Sequence, residues 1–266
     1  MFGTVSSAAI AGMLVSFVIA VLFPIALLVF WMIKQKPKFI SCVIGAATFV
    51  IFALVLEQLL HTGVMTALGK GNLLAGQEKL SSNIWVYGLY GGACAAIFEE
   101  VGRFLAMKLC MKKFLDKKNA IMYGIGHGGI EAILIVGIAE ISNLASSLAI
   151  NSGSIETVLA ALPEDQKEMM IDQLSSLWTT PASAFYFAGV ERISAVLLHI
   201  CLSYLVYRFV KYQEKSFFIM AIAIHFVIDF ITVILNSFLP MVALEAILAV
   251  AVVGLIIFVV NKYKAE

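Results

Sequence analysis

Four short patterns put ionisable side chains inside otherwise apolar runs: Glu99-Glu100 with Arg103, His127 with Glu131, Glu191-Arg192 with His199, and His225 with Asp229. Glu57 stands in a further apolar run, and Glu140 and Glu245 lie toward the ends of others. Carboxylates beside imidazoles are the equipment of hydrolysis. A base takes a proton from water, donors steady the oxyanion, and an acid returns a proton to the leaving amine. The same residue types hold a divalent metal, and zinc accepts sets of histidine and carboxylate. The spacing sharpens this reading. Glu99 with Arg103, His127 with Glu131, and His225 with Asp229 are i,i+4 pairs, so each pair lines one face of a helix. Arg192 and His199 are nearly in phase, whereas Glu191 points about 80° away from His199.

The elements that must carry these groups are membrane helices. Of 266 residues, 62% are hydrophobic and 13% charged, against about 25% charged in an ordinary soluble domain. Mean hydropathy is +1.00. A soluble enzyme, a disordered chain and a fibrous repeat are excluded by that balance. Runs near 8–33, 39–60, 84–107, 119–140, 181–207, 217–239 and 241–260 approach or exceed the roughly 20 residues needed to span a bilayer. The expectation is an all-α, polytopic helix bundle of seven spans: an integral, multi-pass cell-membrane protein whose residues 1–266 form one transmembrane domain. Two connections are long. Residues 61–83 read as an irregular, glycine-bearing loop. Residues 141–180 read as an external segment with amphipathic turns over 155–162 and 169–177, the second after Pro163.

Thirteen Lys and Arg residues fall beside one set of span ends and only Lys70, Lys79 and Lys167 beside the other, with Arg103 and Arg192 inside spans. The positive-inside rule then puts the amino terminus outside and the carboxyl terminus in the cytosol. In that topology Glu99, Glu100, His127, His199 and His225 all lie about 12–14 Å from the cytosolic ends of four helices, at 1.5 Å per residue. Four helices contribute to one layer.

Intramembrane charge is costly, and six acids (Glu57, Glu99, Glu100, Glu131, Glu191 and Asp229) face two arginines. Either some carboxyls hold protons or a cation is present. Glu131 and Asp229 are placed to orient histidines one turn away, and Arg103 to neutralise a carboxylate. Glycines 88, 91, 92 and 102, with 124, 126, 128 and 129, admit close helix approach or local unwinding. The four cysteines show no metal-type pairing and read as buried thiols. No basic surface interleaved with aromatics supports nucleic-acid binding. No HExxH or Gly-x-Ser-x-Gly pattern occurs, and serines such as Ser194 and Ser203 carry little signal.

The combination of Glu99-Glu100-Val101-Gly102-Arg103, His127-Gly128-Gly129-Ile130-Glu131, Glu191 with His199, and His225 with Asp229 resembles the YhfC family of predicted intramembrane proteases. That family is related to CAAX-processing glutamate proteases, PrsW-type proteases, bacteriocin-immunity membrane proteins and the polytopic scaffold subunit of gamma-secretase. The CAAX enzymes show EExxxR where this chain has the shorter EExxR. The resemblance implies that Glu99 or Glu100 activates water, while His127, His199 and His225 stabilise the oxyanion, hold the water or bind a metal such as zinc. Arg103, Glu131, Glu191 and Asp229 would support them. The substrate it implies is a membrane-embedded or membrane-proximal peptide. A non-catalytic scaffold or immunity-like binding protein is the alternative within the same superfamily, and a transporter a third reading.

Overall fold

The computed structural model describes residues 3–266, which are all-α. Among the described residues the helices are α1 Ser7–Gln35, α2 Ile40–Leu68, α3 Leu73–Ser81, α4 Ile84–Leu105, α5 Lys117–Asn151, α6 Ile155–Ala160, α7 Glu164–Thr179, α8 Ala182–Tyr212, α9 Lys215–Asn236 and α10 Met241–Ala265. Three stretches are π-helical: Val50–Glu57 within α2, Ala106–Cys110 continuing α4, and Ile133–Gly137 within α5. Wider turns of this kind shift the phase of the side chains that follow.

Six helices, α1, α2, α5, α8, α9 and α10, are long and apolar enough to cross a membrane. The protein is therefore an integral, multi-pass membrane protein. The run expected to complete seven spans forms α4, a helix of 22 residues, but it is not among the six. Glu99, Glu100 and Arg103 in its second half take it out of the apolar set.

The chain forms two compact units. The larger comprises Pro24–Glu131 and Ser194–Glu266. Its interior holds Met107, Met122, Tyr123, Leu202, Tyr204 and Tyr207. Large apolar side chains such as Ile51, Leu59, Ile219 and Val250 are exposed on its outside, the distribution lipid requires rather than water. Glycines let its helices close on one another. A Cβ on Gly45 of α2 would run into the carbonyl of Tyr123 on α5, and one on Gly126 into the carbonyl of Cys42. A Cβ on Gly124 would stand 2.6 Å from Cα of Ile200 on α8, and one on Gly92 of α4 3.1 Å from the Phe226 carbonyl oxygen on α9. The helix continues through Gly128-Gly129. Close packing, not unwinding, is the use made of these glycines.

The smaller unit comprises the chain up to Phe23 and Ala132–Ile193. Val5, Met13, Ile150, Leu177 and Phe185 form its core. Buried Ser16 donates its hydroxyl to the Phe185 carbonyl and accepts from the Gly189 amide at 2.8 Å. Asn151 bonds both backbone groups of Val5 at 2.9 Å. The two amphipathic turns expected after residue 154 are helices α6 and α7.

The irregular loop expected over 61–83 is instead mostly helical. It comprises the end of α2, a turn with Lys70 and Gly71 at positive φ, and α3. Asn72 caps α3 by accepting from the Ala75 amide at 3.1 Å, and a Cβ on Gly76 would overlap the Met65 carbonyl. Those glycines pack two helices together, which composition does not distinguish from flexibility. The thiols also differ from expectation. Cys94 and Cys201 are buried, Cys42 is half-buried, and Cys110, in the π turn that ends α4, is exposed.

Candidate active site

Consecutive residues on a helix point about 100° apart, so the adjacent carboxylates of α4 must meet different neighbours. Glu100 turns toward α9 and along its own helix. Its Oε2 pairs with Arg103 Nε at 3.1 Å and its Oε1 with His225 Nδ1 at 2.9 Å. Glu99 turns toward α5 and α8, with Oε2 at 2.8 Å from His127 Nε2 and 3.7 Å from His199 Nδ1. The three histidine rings follow one another, centroids 4.9 Å apart for His127–His199 and 5.3 Å for His199–His225. All of these groups are buried.

Arg103 is the centre of the polar network and is fully buried. Nη1 donates to the His199 carbonyl at 2.7 Å and to Ser203 Oγ at 2.5 Å. Nη2 stands 3.1 Å from His199 Nδ1. A guanidinium can only donate, so this contact makes Nδ1 the acceptor and leaves the ring proton on Nε2. That nitrogen faces Glu131 Oε2 at 2.6 Å. Sequence spacing gave Glu131 to His127, its i,i+4 neighbour. The structure shows the carboxylate reaching across to His199, because Gly124 and Gly128 bring α5 and α8 close. Asp229 does face its i,i+4 histidine, with Oδ2 at 3.4 Å from His225 Nε2.

His127 is enclosed by aromatic rings, Phe49 edge-on at 5.4 Å and Tyr123 stacked at 6.0 Å. Its Nδ1 is buried and lacks a hydrogen-bond partner among the described residues. Phe49 and Tyr123 carry no sequence signal beyond apolarity. Ser203 becomes legible only once His199 is placed one turn before it. Glu191 belongs to the smaller unit, where it pairs with Arg192.

The donor chemistry suits a divalent metal. Glu99, His127 and His199 each offer a ligand atom, all within 4.8 Å of one another. One carboxylate with two imidazoles is a donor set that catalytic zinc uses while keeping a position open. Four carboxylates, those of Glu99, Glu100, Glu131 and Asp229, share this region with one arginine, which also favours an added cation.

A family model described as YhfC intramembrane metalloprotease matches residues 19–254. A Bacillus subtilis (strain 168) protein named "Uncharacterized membrane protein YhfC" is 37% identical over 221 residues, 83% of each chain. No solved structure matches the chain.

Arg103 generates a stability prediction. Replacing it with Leu leaves Glu100 buried without its cation, and breaking such a pair costs about 3–5 kcal/mol. Lys keeps the charge but not the fork that reaches His199 and Ser203 together. Thermal unfolding of the purified chain in detergent should rank wild type above Arg103→Lys and Arg103→Lys above Arg103→Leu. Equal midpoints for all three would contradict the network described.

Proposed function

The chain belongs to the YhfC family, and from that premise we propose that it hydrolyses peptide bonds in membrane-embedded or membrane-proximal proteins. The observation that carries this reading is the buried meeting of Glu99 with His127 and His199. These three residues would hold a divalent metal, with zinc the ion their donor types favour. When bound, such an ion supplies a water of lowered pKa and polarises the scissile carbonyl.

The chain's own residues divide the remaining work. Glu131 accepts the Nε2 proton of His199 in a hydrogen bond and fixes its tautomer and orientation, as carboxylates do behind metal-binding histidines. The Nδ1 lone pair, which Arg103 Nη2 engages here, is the one an ion would take in its place. Both oxygens of Glu100 are engaged, by Arg103 and His225. That makes Glu99 the reactive member of the pair and Glu100 a positioning residue. His225 faces a carboxylate at each ring nitrogen. Both nitrogens donate together only as imidazolium, the form with a proton to give the departing amine. The rings of Phe49 and Tyr123 shield His127 from competing water.

The proposal includes a topology of seven spans with α4 among them, the amino terminus outside and the carboxyl terminus cytosolic. Residues 141–180 then lie on the outer side. Its support is the segregation of basic residues, and α4 is tolerated in the bilayer because its charges point at partners.

Two measurements test these readings. In a membrane-proteome cleavage screen, Glu99→Gln should fold normally and lose turnover together with zinc retention, by more than the roughly 10–100-fold that loss of an orienting partner costs. Glu100→Gln should lower the unfolding midpoint as well, because it dismantles the Arg103 and His225 contacts. Full cleavage by folded Glu99→Gln would exclude the assignment. For topology, a cysteine placed at Lys113 in a chain with its native cysteines changed to Ser should react with an impermeant thiol reagent only after cells are opened. Reaction in intact cells would reverse the orientation.

A further inference from the structure

A second concentration of charge lies in the larger unit, outside the buried cluster. Lys36, Lys38, Lys112, Lys113, Lys118 and Lys211 line one recess of about 420 Å³. That volume is within the range of small-ligand sites, about 300–1,000 Å³. The lysines come from three separate stretches: the turn between α1 and α2, the connection from α4 into the first turn of α5, and the last turn of α8. Lys36 is held at φ 49, a left-handed backbone that side-chain-bearing residues seldom adopt.

Asn119, itself buried, ties two of these stretches together. Its side-chain oxygen accepts from the Lys38 amide at 2.7 Å and from Ser41 Oγ at 3.2 Å. Its side-chain nitrogen donates to the Phe114 carbonyl and to Asp116 Oδ1, both at 2.9 Å. Lys211 Nζ reaches the Leu115 carbonyl at 3.5 Å and links the third. Lys38 Nζ lies 4.8 Å from the centroid of the Phe114 ring. Among the described residues no salt bridge joins any of the six lysines to an acid. Asp116 is the carboxylate at the recess, and its Oδ1 is engaged by the amide and side chain of Asn119. Membrane orientation accounts for lysines scattered near span ends. It does not account for six of them converging, mutually repelling, on one concavity built around a buried amide.

We propose that this recess binds the phosphate of an anionic phospholipid headgroup. Ammonium groups around a concave floor match phosphate chemistry, as in basic pockets between membrane helices. The lipid source follows from the flanking surface. Phe39 and Ile40, directly after Lys38, and Leu109, three residues before Lys112, are exposed at 54%, 47% and 67%. They give acyl chains an apolar surface next to the charged one. A zwitterionic headgroup would bring its own cation among the lysines and is disfavoured.

The test is lipid retention by the full-length chain in nonionic detergent, read by native mass spectrometry during titration with phosphatidylglycerol or phosphatidylcholine. A basic residue near an anionic headgroup contributes about a fivefold gain in affinity. A triple variant taking one lysine from each stretch, Lys36→Gln, Lys113→Gln and Lys211→Gln, should therefore bind phosphatidylglycerol roughly 100-fold more weakly. A control triple outside the recess, Lys34→Gln, Lys262→Gln and Lys264→Gln, should retain wild-type binding. The exposed-site single variant Lys113→Gln, about fivefold weaker, decides the matter if the recess triple fails to fold. Equal losses in both triples, or wild-type affinity in folded Lys113→Gln, would overturn the proposal. So would phosphatidylcholine binding as tightly as phosphatidylglycerol. Displacement of phosphatidylglycerol by low-millimolar inorganic phosphate would assign the recess to a soluble anion and overturn the lipid source.

Discussion

The larger unit depends on how one buried guanidinium is satisfied. Moving an ion from water to a protein interior costs several kcal/mol even after relaxation, and only good geometry with further hydrogen bonds offsets it. Arg103 meets that condition through Glu100, the His199 carbonyl, Ser203 and His199 Nδ1. Each contact constrains something else. Glu100 is drawn away from Glu99, His199 is locked in one tautomer, and α4 and α8 are held in register. The two adjacent carboxylates thus meet different partners because of where one cation sits.

That network needs helices closer than ordinary side chains permit. Gly45 against Tyr123 and Gly126 against Cys42 join α2 to α5, and Gly124 against Ile200 joins α5 to α8. A hydrogen bond between groups on different helices reaches only about 3 Å. The glycine contacts and the polar cluster are therefore one design, since a Cβ at these crossings would push the helices apart. Around this centre large apolar side chains such as Ile51, Leu59, Ile219 and Val250 face outward, while the Glu, His and Arg side chains of the cluster are buried.

Much of this was legible in the sequence, for identifiable reasons. Ionisable groups are so costly in apolar segments that Glu99, Glu100, Arg103, His127, His199, His225 and Asp229 stand out individually, and helical spacing puts them on defined faces. The 3.4 Å contact of His225 with Asp229 follows directly from i,i+4 geometry. Matched depth brought the groups of four helices to one layer, but which of them pair across helices was not legible. Spacing could assign Glu131 only to His127, whereas helix crossing gives it to His199. Which of Glu99 and Glu100 pairs with His225 needed the position of α9. The π-helical stretches have no composition signature, so Val50–Glu57 reads as ordinary helix. The loop expected over 61–83 failed because Gly69 and Gly76 serve helix contact there. α4, expected as a span, falls outside the six apolar helices because of the charges that make it informative.

The central claim is that Glu99, His127 and His199 form one metal-holding hydrolytic site, distinct from the Glu100–Arg103–His225 clamp beside it. Metal stoichiometry tests it most directly, independently of any substrate. Full-length protein reconstituted with zinc and freed of loosely bound ion should retain about one zinc per chain, as a single three-ligand site would. His127→Ala should retain almost none while keeping its helical content. Stoichiometric zinc in folded His127→Ala, or none in the wild type at micromolar zinc, would contradict the account.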